Sequence, residues 1–219
     1  MNMRILGTNL PCSVCGEKIP LNFREFVDVK ENPEYKKMIL DGGFFNVVCP
    51  KCGTTALIEY PVMYMDPDKK LNIYMVPRHD RTLVANLNSL NIPEDKVDPD
   101  EIKRVTASSE DLVEKILIYD SGRDDRIIEL YKLLISERMR VQWPEMYRSK
   151  LLFIPNQRGD MFVVRDFNRE PGGEKLTVVL NEDDYRSMEA DFGRYLRTEP
   201  GKFVEVNRNW VKRRIDRGN

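Results

Sequence analysis

The chain has 219 residues, and its 35 Lys+Arg nearly cancel its 36 Asp+Glu to leave a formal charge of -1, which excludes a whole-chain electrostatic hold on nucleic acid or anionic lipid. Hydrophobic residues make up 41% in short runs, and no run approaches the roughly 20 apolar residues that a bilayer crossing needs. The opening MNMRILGTNLPC has no apolar stretch of about 7 to 15 residues of the kind a secretory signal carries, so a cytoplasmic globular protein is expected.

In chain order the first feature is Cys12-Ser13-Val14-Cys15, and 33 residues lie between it and its counterpart Cys49-Pro50-Lys51-Cys52. Gly stands directly after each pair, at Gly16 and Gly53, where the backbone is free to take positive φ. Residues 17 to 29 mix β-branched, aromatic and charged positions and read as a strand leaving the first pair. Asn32 as N-cap, Pro33 at the first helical position and Gly42-Gly43 as the stop predict a short helix between the two cysteine pairs. A strand over 44 to 48 enters Cys49, and another over 56 to 60 leaves Cys52.

Residues 60 to 77 form two apolar runs around Asp66-Pro67-Asp68-Lys69-Lys70 and predict a β-hairpin. Residues 91 to 100, with two prolines and four acidic side chains, read as a linker or exposed loop. A helix then opens at Ser108 or Ser109 and stops at Gly122. A second, with a wide apolar stripe, opens at Asp124 and Asp125, so a helical hairpin is expected. Beyond Trp143-Pro144 come three short strands over 151–154, 161–164 and 176–180. A helix capped by Asn181 follows, then a short strand and terminal helix over 203–217.

All four cysteines lie in the two pairs. Two residues between ligands allow one tight turn to bring both thiolates onto a metal, and two such turns complete a closed tetrahedron. One structural Zn²⁺ per chain on Cys12, Cys15, Cys49 and Cys52 is the leading expectation. A rubredoxin-type four-thiolate iron centre is the alternative that spacing does not separate from it. Redox cysteines come third, because a thioredoxin-like dithiol needs a helix start in a βαβ setting.

The stretches FREFVDVKENPEYKKMILDGGFFNVVCPKCG, EYPVMYMDPDKKLNIYMVP and VTASSEDLVEKILIYDSGRDDRIIELYKLL, with the cysteine pairs, resemble the CpXC domain family over residues 1 to about 145. The family is named for two Cys-Pro-X-Cys motifs. Here Cys49–Cys52 keeps the proline and Ser13 replaces it in the first pair. The resemblance implies no established activity, since the family is defined by its cysteines.

Other candidates carry less. His79, the one histidine, stands beside Asp80 in VPRHDR, where a surface or capping role competes with acid–base chemistry. Gly172-Gly173 lacks the spacing and Lys of a phosphate loop. Asp120, Asp124, Asp125 and Arg126 suit helix capping better than cation binding. Arg208, Trp210, Lys212, Arg213, Arg214 and Arg217 in the tail offer phosphate contacts with an aromatic stack, or else an amphipathic helix with Trp210 docked on the core.

The expected architecture is α+β. A zinc-ribbon-like β region with an inserted helix and a β-hairpin leads to a helical hairpin and then a small C-terminal β-sheet with helices. The expected domains are 1–145 and 146–219. The expected function is a non-catalytic binding or adaptor protein with another protein as partner. Single-strand nucleic-acid binding and electron transfer are the alternatives, and no small-molecule substrate or membrane is implied.

Overall fold

The computed structural model describes residues 5–77, 81–90, 93–144, 149–165 and 176–218. These residues form a mixed α+β protein of six α-helices and eleven strands. The chain clusters into two compact units, residues 1–113 with 199–204, and residues 114–198 with 205–219.

In the first unit, β1 (Ile5–Pro11) and β2 (Lys18–Arg24) form an antiparallel hairpin whose last pair is Pro11 with Lys18. The first cysteine pair is therefore the hairpin turn. β3 (Phe26–Asp28) follows at once, so the strand expected over 17–29 is interrupted at Glu25. α1 (Pro33–Leu40) starts at the predicted proline, and Gly42 at φ 81° ends it. Asn32 occupies the N-cap position without a capping side-chain bond, its amide reaching back to the Asp28 carbonyl instead. β4 (Asn46–Val48) and β5 (Thr55–Leu57) pair antiparallel, with Val48 opposite Thr55, and the second cysteine pair fills that turn.

β6 (Val62–Asp66) and β7 (Leu71–Met75) form the predicted hairpin around a one-turn 3₁₀ helix at Pro67–Lys69. Alternation along both strands is strict: Val62, Tyr64, Leu71, Ile73 and Met75 are buried, and Met63, Met65, Asn72 and Tyr74 are only half-buried. α2 (Arg81–Ser89) and β8 (Ile102–Thr106) were not apparent from the residue pattern. β8 completes a four-stranded sheet of order β3-β6-β7-β8 in which β3–β6 and β7–β8 are parallel. Val204 adds an isolated parallel bridge to Arg104 at the β8 edge. Asn88 of α2 holds that segment by exchanging two 2.9 Å hydrogen bonds with the Phe203 backbone.

α3 (Ser109–Asp120) begins after Ser108, whose hydroxyl accepts from the Asp111 N–H at 3.2 Å. In the second unit, Gly122 at φ 72° turns the chain into α4 (Asp125–Gln142), and Asp124 caps it by accepting from the Arg126 N–H at 2.9 Å. β9 (Lys150–Ile154), β10 (Met161–Arg165) and β11 (Thr177–Val179) form an antiparallel sheet in the order β11-β10-β9. α5 (Glu182–Phe192) carries the predicted cap, Asn181 accepting from the Asp183 and Asp184 N–H groups. α6 (Arg208–Gly218) packs on α4, as does α5. Ile127, Ile128, Phe153, Phe162 and Val211 are almost wholly buried, and the Tyr131 and Phe162 rings stack at 5.3 Å.

Candidate metal centre

The two cysteine turns are built alike. In the first, the Cys12 N–H donates to the Glu17 carbonyl at 2.8 Å and the Gly16 N–H returns to the Cys12 carbonyl at 2.9 Å. In the second, the Cys49 N–H donates to the Thr54 carbonyl at 2.9 Å and the Gly53 N–H returns to the Cys49 carbonyl at 3.0 Å. Each turn depends on a left-handed glycine, Gly16 at φ 73° and Gly53 at φ 72°, a conformation that costs any residue with a Cβ.

The turns meet so that all four Sγ atoms lie within 4.8 Å of one another. Cys12 faces Cys52 and Cys15 faces Cys49, both at 3.6 Å. Four sulfurs about 2.3 Å from one ion at tetrahedral angles stand about 3.8 Å apart, so the donor set fits a four-thiolate metal site. Two of the four, Cys12 and Cys49, join Ile19 and Leu21 in a small buried cluster, with Cys15, Phe23, Val47 and Ile58 packed against it.

The thiols are unequal. The Thr54 hydroxyl, 3.2 Å from Cys52 Sγ, and the Thr54 N–H together pull the Cys52 thiol down to about 6. The Cys15 and Val14 N–H groups hold Cys12 below its ordinary value. At Cys15 the Glu17 N–H lowers the thiol, but burial and the three neighbouring sulfurs push it up to about 12. Four thiolates this close repel one another, and a bound divalent cation is what lets all four ionise together.

The remaining candidates separate clearly. Of the acidic group expected to cap, Asp124 does so through the Arg126 N–H while the Arg126 guanidinium grips the same carboxylate, at 2.9 and 3.0 Å from Nε and 2.5 Å from Nη2, whereas Asp125 is buried against Lys115 and the Tyr119 hydroxyl. Trp210 is buried, its ring lying 5.3 Å beneath the Arg214 guanidinium, and Arg208 donates to the Ser136 hydroxyl. Lys212, Arg213, Arg214 and Arg217 are exposed. His79, Asp80 and Gly172-Gly173 lie outside the described residues.

Sequence reasoning missed a buried ionic network in the second unit. Lys132 Nζ donates to both carboxylate oxygens of Glu114 at 3.0 Å and to Glu129 at 2.9 Å, while Lys115 Nζ reaches Asp125 at 2.9 Å and Glu129 at 3.4 Å. The Phe153 N–H also donates to Glu114, at 2.6 Å, and the Tyr119 hydroxyl to Asp125, at 2.7 Å. All five charged side chains are buried. Desolvation raises Glu114, and it opposes a net fall at Glu129 that the two lysines bring about. At Lys132 burial again opposes, and the two glutamates hold the ammonium well above its usual range. Charged residues three apart on a helix are usually a solvated face, so nothing in the pattern announced this burial.

Among the described residues no helix is long and apolar enough to cross a membrane. No curated protein and no solved structure matches the chain. The sequence model of the family described as CpXC protein matches residues 10–132, from just before the first cysteine pair to Lys132 in α4. With more than half its length matched and both cysteine pairs inside the match, the chain belongs to the CpXC family.

Proposed function

We propose that Cys12, Cys15, Cys49 and Cys52 hold one Zn²⁺ as a closed structural site, and that the protein is a non-catalytic adaptor whose metal-braced hairpins dock on another protein in the cytoplasm. The observation that carries the reading is the pair of 3.6 Å sulfur separations across the two turns. Four thiolates fill the coordination sphere and leave no position for water or substrate, which suits a staple better than a Lewis acid. The local core is small, so the metal's binding energy counts towards folding of this region. A reducing compartment keeps such thiols available as ligands.

Support for a protein partner comes from the apolar side chains that these hairpins leave in solvent. Val14 is 68% exposed, Val48 60% and Leu57 58%. Val48 and Leu57 share the outward face of the β4–β5 pair.

Elemental analysis of protein purified without chelator tests the metal, with about one zinc per chain expected. Iron in its place, with a red colour, supports electron transfer instead. Chelation is expected to raise amide exchange in β1, β2, β4 and β5 while leaving β6 and β7 protected. For the partner, Val14→Asp with Leu57→Asp is expected to abolish a stoichiometric, nuclease-resistant complex without loss of zinc.

Exposure of four basic side chains on α6 favours a second reading, binding of single-stranded nucleic acid through that face. Salt-sensitive binding to a mixed oligonucleotide pool, lost in a Lys212→Glu, Arg213→Glu, Arg217→Glu variant, supports it. Substitution is preferred to deletion because Trp210 and Val211 are buried.

A further inference from the structure

The geometry points to an oxidative modification site in the cysteine tetrad. We propose that a peroxide attacks at Cys52 and that oxidation then links the two turns as Cys12–Cys52 and Cys15–Cys49, expelling the metal.

Accessibility selects the first sulfur. Cys52 is exposed, Cys15 half-buried, and Cys12 and Cys49 are buried. A small neutral oxidant from solvent therefore meets Cys52 before the others. All four sulfurs lie within 4.8 Å of one another, and two pairs that bridge the turns stand at hydrogen-bond range. Cys12 Sγ lies 3.6 Å from Cys52 Sγ although 40 residues separate them, and Cys15 and Cys49 stand at the same distance, 34 residues apart.

The chemistry balances with hydrogen peroxide as the oxidant. The Cys52 thiolate attacks one peroxide oxygen, so an S–O bond forms and the O–O bond breaks, and the departing hydroxide takes a proton from solvent. The Cys12 thiolate then attacks the Cys52 sulfur. An S–S bond forms, the S–OH bond breaks, and a second water leaves after protonation. Two thiolates have supplied the two electrons that reduce one peroxide to two waters. A second peroxide oxidises Cys15 and Cys49 in the same way. Each disulfide removes two anionic ligands, so the first leaves a divalent ion with two thiolates and the second with none.

The pairing has a structural consequence. Disulfides inside each turn would release the two turns from each other when the metal leaves. Disulfides across the turns close loops of 34 and 40 residues and keep the hairpins joined, because the cross-link restricts the unfolded chain.

This inference rests on the zinc reading for metal release but not for the sulfur pairing, and trypsin separates the two. Cleavage after Arg4, Lys18, Lys37, Lys51 and Lys69 places Cys12 and Cys15 on peptide 5–18, Cys49 on 38–51 and Cys52 on 52–69. The full chain is treated with two equivalents of hydrogen peroxide, released metal is read with a chromophoric chelator, and the non-reduced digest is read by mass spectrometry. The expected result is one metal released per chain and a three-peptide species in which fragmentation of 5–18 between Cys12 and Cys15 places 52–69 on Cys12 and 38–51 on Cys15. Cys15→Ser with Cys49→Ser is expected to yield 5–18 bonded to 52–69 alone.

A bond within 5–18 accompanied by 38–51 bonded to 52–69 overturns the proposal. So does oxidation that stops at Cys52 sulfinic acid without a disulfide, or thiols that survive a tenfold excess of peroxide. The exchanged attachment, 38–51 on Cys12 and 52–69 on Cys15, overturns it as well, and if the purified chain holds no metal yet gives 52–69 on Cys12 and 38–51 on Cys15, the zinc reading fails and the sulfur pairing stands.

Discussion

Glu59 Oε1 accepts two hydrogen bonds from Ser109, 50 residues away: one from the backbone N–H at 2.6 Å and one from the hydroxyl at 2.7 Å. The carboxylate thus sits at the positive end of α3, where free N–H groups and the helix dipole favour an anion. Glu59 follows Ile58, whose side chain packs against the cysteine core and whose N–H donates to the Phe45 carbonyl at 2.8 Å. The chain leaving the second cysteine turn therefore caps the helix. Glu59→Ala is expected to cost about 1 kcal/mol, as loss of a cap does, and to speed amide exchange at Ser109. Glu59→Gln, which keeps an acceptor, is expected to cost less. Urea unfolding of the metal-loaded protein measures both.

Gly16→Ala and Gly53→Ala are each expected to destabilise by about 1 to 2 kcal/mol, the penalty of left-handed backbone for a residue with a Cβ. An added Cβ meets nothing within 4 Å at either position, so the cost is one of backbone conformation and not of crowding. Both variants are expected to lose metal at a lower chelator concentration than the parent. Equal retention would show that the turns adapt.

In the buried network three carboxylates face two ammonium groups, so removing a lysine is costlier than removing a carboxylate charge. Lys132→Met is expected to destabilise by about 3 to 5 kcal/mol because Glu114 and Glu129 lose their shared partner inside the fold. Glu114→Gln keeps an acceptor for the Phe153 N–H and balances the charges, so a smaller loss is expected.

The pH dependence of the same site has a definite sign. Burial raises Glu114 above its ordinary 4.5, so its contribution is fully present below that pH and is lost as pH rises through the folded value. Glu129 is depressed, so its contribution is present above 4.5 and is lost as pH falls through its folded value. Glu114→Gln is therefore expected to abolish a decline in stability above pH 4.5 while leaving the acid limb in place. Unfolding midpoints across pH 3 to 8 check this, and an unchanged profile would remove Glu114 from the account.

On α6 the two roles of the tail separate by burial. Trp210→Ala is expected to cost about 3 to 5 kcal/mol as a core truncation. Lys212→Ala and Arg213→Ala, at exposed positions, are expected to stay within about 0.5 kcal/mol of the parent. Thermal unfolding of the three single variants gives the comparison directly.

Local signals in the amino-acid order were enough for the cysteine turns, with glycine after each pair, and for α1 between Pro33 and Gly42. They also specified the β6–β7 hairpin, the break at Gly122 before Asp124, and the Asn181 cap of α5. Each is a short-range device in which a particular side chain, or the lack of one, sets the backbone within a few residues. β8 and the β3–β6 and β7–β8 pairings belong to another kind. A parallel pair joins residues far apart in the chain, and its register follows from what else packs on the sheet. The same holds for the partners of the cysteines and the charges. Spacing alone grouped four sulfurs, but only the meeting of two hairpins set Cys12 against Cys52 and Cys15 against Cys49. Nothing along α3 or α4 distinguishes Lys115 and Lys132 from solvated lysines, because burial is a property of the packed structure around a residue and not of its neighbours in the chain.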